Sequence, residues 1–192
     1  MDFINQEIDI NNKIKHKNIV KLYDHFQLEN HVILVMEHMN NKDLKHFIRK
    51  FLSKNPDISE PLVAFFILEI IDGLKYLKDS SIIHRDIKPE NIMIDSNYIA
   101  KIGDFSLSKF IEPQKPYLTS RSGTIPYLCP EALKSKSVNV KSTMTERMDV
   151  FSLGIIMYYM IFNEHPFKFK VSIMVYLLLI RMEWNLKIIQ KL

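Results

Sequence analysis

Between Ser81 and Asp95 the chain reads SIIHRDIKPENIMID. Two short apolar pieces, Ser81–Ile83 and Ile92–Ile94, flank a dense polar loop, HRDIKPEN (84–91). Within it Asp86 stands two residues before Lys88 and five before Asn91. That spacing can bring three unlike groups to one phosphate: a carboxylate to accept a hydroxyl proton, an ammonium to neutralise transferring charge, and an amide oxygen to bind a cation. A solvated run of charges is the plainer alternative for the same residues.

The next segment bears on the choice. Asp95-Ser96-Asn97 turns the second apolar piece back into YIAKI (98–102), which makes a small hairpin. GDFSLSK (103–109) follows, so Asp104 lies 13 residues after Asn91, across that hairpin. A lone aspartate after a strand is ordinarily a turn residue. Paired with Asn91 it can instead share a metal-ion site, and Mg2+ prefers one or two carboxylates plus substrate phosphates to an all-protein cage.

The rest of the chain sets the frame. It has 192 residues, 47% hydrophobic and 25% charged, the balance of one folded domain. A formal charge of +4 with scattered basic residues argues against nucleic-acid or membrane-surface binding. The single cysteine, Cys129, excludes an internal disulfide and a CxxC metal knuckle and points to a reducing compartment. The opening MDFINQEIDI lacks the basic-then-apolar order of a signal peptide. The longest uncharged apolar run, VSIMVYLLLI (171–180), is far short of the roughly 20 residues a spanning helix needs. The expected location is cytoplasmic, with the nucleus as the alternative.

Residues 19–29 and 31–38 are β-rich and suggest a hairpin turning at Glu29-Asn30. Leu44, Phe47, Ile48, Phe51 and Leu52 recur at helical spacing. Ser59 is a candidate N-cap and Pro61 a first-turn proline for a helix that runs to about Lys78 and is apolar enough to be buried. From Phe105 to about Thr145 the chain reads as mostly loop, and a loop that long is ordinarily functional. Asp149–Phe162 reads as a core helix, apolar all round. The fold class is α+β: a small β-containing part, a connection at 39–43, and a larger helical part.

HRDIKPEN, GDF, GTIPYLCPE (123–131) and DVFSLG (149–154), in that order and spacing, resemble the catalytic core of eukaryotic serine/threonine protein kinases. The first motif matches except for Ile87, where leucine is usual. The resemblance implies a two-lobe fold with residues 1–38 as a remnant of the small lobe, 39–43 as the hinge and 44–168 as the large lobe. It implies ATP and Mg2+ as cofactors and a protein Ser/Thr hydroxyl as acceptor. Asp86 would orient that hydroxyl, Lys88 would contact the γ-phosphate, and Asn91 and Asp104 would hold Mg2+. Glu7 would be the small-lobe helix glutamate. MEHM (36–39) would grip adenine, with Met36 as gatekeeper and Glu37 and Met39 supplying backbone groups. Asp43 would bind ribose or, equally, serve as a helix N-terminal carboxylate. Glu90 would face the peptide and favour basic substrates, or be a plain surface carboxylate.

Thr119, Ser120 and Ser122 fall in the activation segment. Ser120 is the expected phosphorylation site for an upstream kinase and Arg85 its partner. Thr124 is expected near Asp86, and Glu131 and Asp149 as anchors of loops.

The departures are as specific as the matches. Four glycines leave no GxGxxG anywhere, and the strand carrying the phosphate-anchoring lysine is not found, so Glu7 lacks its ion-pair partner. Asn11 falls where an apolar side chain would pack on Phe105, and Ser106 replaces a glycine. The match stops near residue 167, and the tail, 169–192, is unlike the large lobe's remaining helices. The chain therefore reads as a kinase domain truncated at both ends, weakly active or inactive, with a non-catalytic interaction module as the alternative.

Overall fold

Near the start of the chain, β1 (Leu22–Leu28) pairs antiparallel with β2 (His31–Met36), with Leu28 opposite His31 and Leu22 opposite Met36. Glu29 takes the left-handed conformation, φ 50°, that turns the hairpin as expected. The computed structural model describes residues 2–29, 31–111, 122–130, 132 and 146–167. Thr119, Ser120, Glu131 and the tail 169–192 lie outside the described residues.

Ahead of the hairpin runs helix α1 (Asp2–Lys13). Beyond it come α2 (Leu44–Leu52) and α3 (Glu60–Asp79). Short strands β3 (Ile82–Ile83), β4 (Ile92–Ile94), β5 (Ala100–Ile102) and β6 (Lys109–Phe110) follow, and then helix α4 (Arg147–Phe162). The described strands form three two-stranded antiparallel sheets, β1–β2, β3–β6 and β4–β5. None of the described helices is long and apolar enough to cross a membrane.

α2 begins where the Asp43 carboxylate accepts the His46 N–H at 2.7 Å, and it buries Leu44 and Ile48. α3 starts with proline in its first turn. Ser59 occupies the N-cap as expected, although its hydroxyl makes no capping bond. Gly73 lets α3 sit close against β5: a Cβ there would come within 2.8 Å of Ile102 Cδ1 and 3.0 Å of Asn18 O.

One apolar cluster joins these pieces. It includes Ile10 and Ile14 of α1, Leu44 and Ile48 of α2, Phe66 and Ile70 of α3, Ile92, Ile102, Phe105 and Ile156. Fully burying each such side chain is worth roughly 1.5–3 kcal/mol. Ile10, not Asn11, shares this core with Phe105. Asn11 is buried beside it and donates its amide to Glu7 O at 2.9 Å. Val20 N–H donates to Ile102 O (2.9 Å) and Ile102 N–H to Asn18 O (2.8 Å), fixing the segment before β1 to β5. The connection at 39–43 is tied to β4 by Ile94 N–H to Lys42 O (2.7 Å) and Asn41 N–H to Ile94 O (3.1 Å).

Within the stretch after Phe105, expected to be mostly loop, Lys109 and Phe110 pair with Ile83 and Ile82, and Ile125–Tyr127 forms a 3-10 turn. The expectation of a core helix for α4 needs correcting, and α3, expected to be buried, also keeps an exposed face. α3 leaves Phe65, Leu68 and Ile71 exposed, and α4 leaves Val150, Met157, Ile161 and Phe162 exposed. Each buries one face and presents the other outward, so uniform apolarity marks a helix here without marking full enclosure.

Candidate active site

The loop 84–91 hangs between β3 and β4, and its backbone is fixed from below by α4. Asp149, on the first turn of α4, accepts the His84 N–H with one oxygen and the Arg85 N–H with the other, each at 2.8 Å. Arg85 has φ 75°, a left-handed conformation that a non-glycine residue keeps only when its surroundings hold it. Burial pushes the Asp149 carboxyl above its usual range, and the charge of His84 and the two N–H donors oppose that shift. His84 is fully buried, bonds through Nε2 with Gly103 O at 2.9 Å, and meets the Phe105 ring edge-on at 5.0 Å. Ser108 donates to His84 O at 3.2 Å. The loop is thereby pinned to the GDF segment.

Both oxygens of the Asp86 carboxylate are engaged. Oδ1 accepts the Thr124 N–H (2.8 Å) and hydroxyl (2.7 Å), while Oδ2 accepts Lys88 Nζ (2.5 Å) and Asn91 Nδ2 (3.1 Å). Lys88 also donates to Thr124 Oγ1 at 3.0 Å, which closes a ring of Asp86, Lys88 and Thr124. Burial raises the Asp86 carboxyl, but the bonds and charge from Lys88 and the bonds from Thr124 outweigh it and hold it below its usual value. Thr124 reaches this position because Gly123 passes close to the loop with φ 114°. A Cβ at Gly123 would meet Arg85 O at 2.4 Å.

Asn91 ends the short 3-10 turn Pro89–Asn91 and is buried. Its amide nitrogen is spent on Asp86 O (2.9 Å) and Oδ2, which leaves its side-chain oxygen as the available donor to a cation. Gly103 N–H donates to Asn91 O at 2.8 Å, so the residue before Asp104 is tied to Asn91 directly. Asp104 is exposed, with φ 60°. Ser106 donates its hydroxyl to Asp104 Oδ1 at 2.6 Å. Glu7 of α1 is half-buried, and burial first and the Asp104 carboxylate second push its carboxyl up. Among the described residues no cation lies within 4 Å of Glu7.

Four of the residues singled out from sequence, Asp86, Lys88, Asn91 and Thr124, thus share one hydrogen-bond network, and Asp104 is tied to it through Gly103. Arg85 lies in the same loop and Glu7 is near enough to Asp104 to feel its charge, while Asp43, Glu90, Glu37 and Met39 are placed apart. Asp43 caps α2, and Glu90 pairs with Lys45 at 2.6 Å. Glu37 pairs with Lys101, which also lies 3.6 Å from Asp95. The Met39 N–H has no hydrogen-bond partner among the described residues. Lys101 was not anticipated, since its two partners are set by the fold and nothing local in the sequence marks them.

The family model described as "Protein kinase domain" matches residues 2–189. The chain is similar to the serine/threonine-protein kinase cds1 of Schizosaccharomyces pombe, 34% identical over 86% of this chain and 35% of that protein. It is similar to an Aurora kinase of Candida glabrata, 35% identical over 86% of this chain and 43% of the relative. It is also similar to 3-phosphoinositide-dependent protein kinase B of Dictyostelium discoideum, 33% identical over 95% of this chain and 20% of the relative. The chain spans less than half the length of each of these relatives.

Proposed function

Since this chain belongs to the family of eukaryotic serine/threonine protein kinase catalytic domains, we propose that it transfers a phosphoryl group from Mg-ATP to Ser or Thr hydroxyls of proteins, slowly in the 192-residue form. The observation that carries this reading is the closed network of Asp86, Lys88, Thr124 and Asn91. It holds an ionised carboxylate and an ammonium side by side at the mouth of one loop. With its carboxyl held low, Asp86 is a weak base. Its part is to accept a hydrogen bond from the substrate hydroxyl and aim that oxygen, with proton transfer following as the acceptor loses electron density. Lys88 balances charge at the transferred group while keeping Asp86 in place. Thr124 fixes the carboxylate plane.

The donor set fits a hard divalent cation. The free side-chain oxygen of Asn91 and the exposed Asp104 carboxylate are oxygen ligands of the kind Mg2+ takes, and two protein ligands leave room for phosphates and water. Held by Asn91 and Asp104, such an ion would neutralise phosphate charge. Adenine would dock along residues 36–39, where the unpartnered Met39 N–H is the available donor, with Glu37 beside it and Asp43 near the ribose. Arg85 would receive a phosphate placed by another kinase on Ser120 or Thr119. A cytoplasmic site of action accords with the single thiol.

Slow turnover follows from two features of the residues present. No GxGxxG occurs in the sequence, and Glu7 has no cationic partner among the described residues. The second feature also favours a non-catalytic interaction module as the competing reading. A transfer assay with labelled ATP and a basic Ser/Thr peptide, run beside Mg-ATP thermal shift, separates the two: a thermal shift without transfer belongs to the interaction module.

A further inference from the structure

A second concavity, of about 370 Å³, opens between residues 40–42, α2 and the β4–β5 turn, and no residue of 84–91 lines it. Its charged lining is of one sign: Lys42, Lys50 and Lys54, with His46 among them and no carboxylate. The three lysines are exposed, and among the described residues none has an acidic partner within 4 Å. Lys45, on the same helix but outside the cavity, is paired with Glu90. Three cations without an acidic partner are thus gathered at the cavity, and Arg49 of α2, outside it, is likewise without one among the described residues.

A helix C-terminus favours basic residues in its last turn, which accounts for Lys50. It does not account for Lys42, which precedes the helix with φ 62°. Nor does it account for the aromatic floor, where Phe47 and Tyr98 meet edge to face with centroids 6.3 Å apart.

Spacing identifies the ligand class. His46 and Lys50 stand four residues apart on α2, about 6 Å along its axis, and Lys54 continues the row past the helix end at Ser53. An extended peptide sets alternate side chains on one face about 6.7 Å apart. A nucleic-acid strand would gain little here, because Phe47 is half-buried and Tyr98 alone is well exposed, too little ring for successive bases to stack on. We propose that this cavity is a docking groove for an acidic protein segment bound in extended form, with carboxylate or phosphoserine side chains at alternate positions against Lys42, Lys50 and Lys54 and an apolar side chain on Phe47 and Tyr98. The groove is separate from the phosphoryl-transfer reading, and its test contains no nucleotide.

The test is fluorescence anisotropy of the full 192-residue chain with two labelled ten-residue peptides, one carrying glutamate and one phosphoserine at every second position among alanine and leucine. Either peptide should bind, and binding should weaken about tenfold in the double variant Lys50→Glu/Lys54→Glu, as reversal of two exposed charge pairs implies. The charge-matched control Lys15→Glu/Lys75→Glu, away from the cavity, should change binding by less than about twofold. A peptide of equal charge with its glutamates contiguous should bind roughly threefold more weakly, because one lysine row cannot meet them all. All four lysines are exposed, and superimposable thermal melts establish that the variants fold. If only the phosphoserine peptide binds, the acidic segment is a phosphorylated one. The proposal is overturned if neither peptide binds, if both double variants weaken binding equally, if spacing makes no difference, or if an oligothymidylate of the same length binds more tightly than both peptides.

Discussion

Ser106 and Asp104 form a closed local pair: the serine hydroxyl donates to Asp104 Oδ1 at 2.6 Å, and the serine N–H approaches the same oxygen at 3.3 Å. Oδ1 is thereby occupied from within the chain, and Oδ2 is the oxygen that would meet a cation in the proposed site. The residue that departs most plainly from the family pattern in this segment therefore orients the carboxylate and removes no ligand.

From this pair we expect Ser106→Ala to weaken Mg-ATP binding by about fivefold, the worth of one net hydrogen bond near 1 kcal/mol. Asp104→Asn should weaken it by more than about tenfold, since it removes the charge itself. Isothermal titration of the three proteins provides the comparison. Equal affinities throughout would mean that Asp104 does not face the metal.

Asp149 is the buried acceptor for two backbone N–H groups around a left-handed Arg85. In Asp149→Asn an amide nitrogen must face one of those donors, so one N–H goes unmet at a cost of about 1–3 kcal/mol. The melting temperature should fall by roughly 3–10 °C, measured by calorimetry. Unchanged melting would contradict the role assigned to α4 as the anchor of loop 84–91.

Gly123→Ala should be worse for activity than for stability. A methyl group 2.4 Å from Arg85 O forces residues 123–124 away, and with them both bonds from Thr124 to Asp86. We expect a loss of about 2 kcal/mol in stability and a larger proportional loss in turnover than in peptide binding. A kcat equal to the parent's would show that Thr124 does not position Asp86.

Glu7 gives a pH test with a defined sign. Its carboxyl is raised in the folded state, so the ionised form costs stability above the folded value, and that cost is relieved as pH falls through it. Glu7→Gln should therefore melt higher at pH 7, by no more than about 2 °C for a partly exposed group, and the gain should vanish near pH 4. A variant that melts lower at pH 7 would reveal a cationic partner for Glu7.

What could be read without a structure was local in sequence. HRDIKPEN carries three of the network's four members within eight positions, and the β4–β5 hairpin is marked by Asp95-Ser96-Asn97. The Thr124 contact was expected through the family resemblance, because 38 residues separate it from Asp86. The partners of Lys101 and the pairing of Lys109–Phe110 with Ile82–Ile83 were not legible. Both join residues far apart in the chain through charges or two-residue strands that carry no periodic pattern. The apolar surface of α4 misled for a physical reason: hydrophobicity on every side reports what a helix can bury, and Val150, Met157 and Ile161 show that the described residues cover one side. The single-signed lining of the cavity beside α2 was likewise invisible, because it gathers Lys42, four positions of α2 and its exit, and Tyr98 from the β4–β5 turn.

The account rests on Asp86 as the residue that aims the acceptor hydroxyl. Its most direct test is phosphate incorporation from labelled Mg-ATP into a basic Ser/Thr peptide by the 192-residue chain and by Asp86→Asn, with Mg-ATP thermal shifts recorded on both. Slow incorporation that falls at least about a hundredfold in Asp86→Asn, with the thermal shift retained, is the predicted result. Incorporation unchanged by Asp86→Asn, or a thermal shift in the parent chain with no incorporation at all, would contradict it.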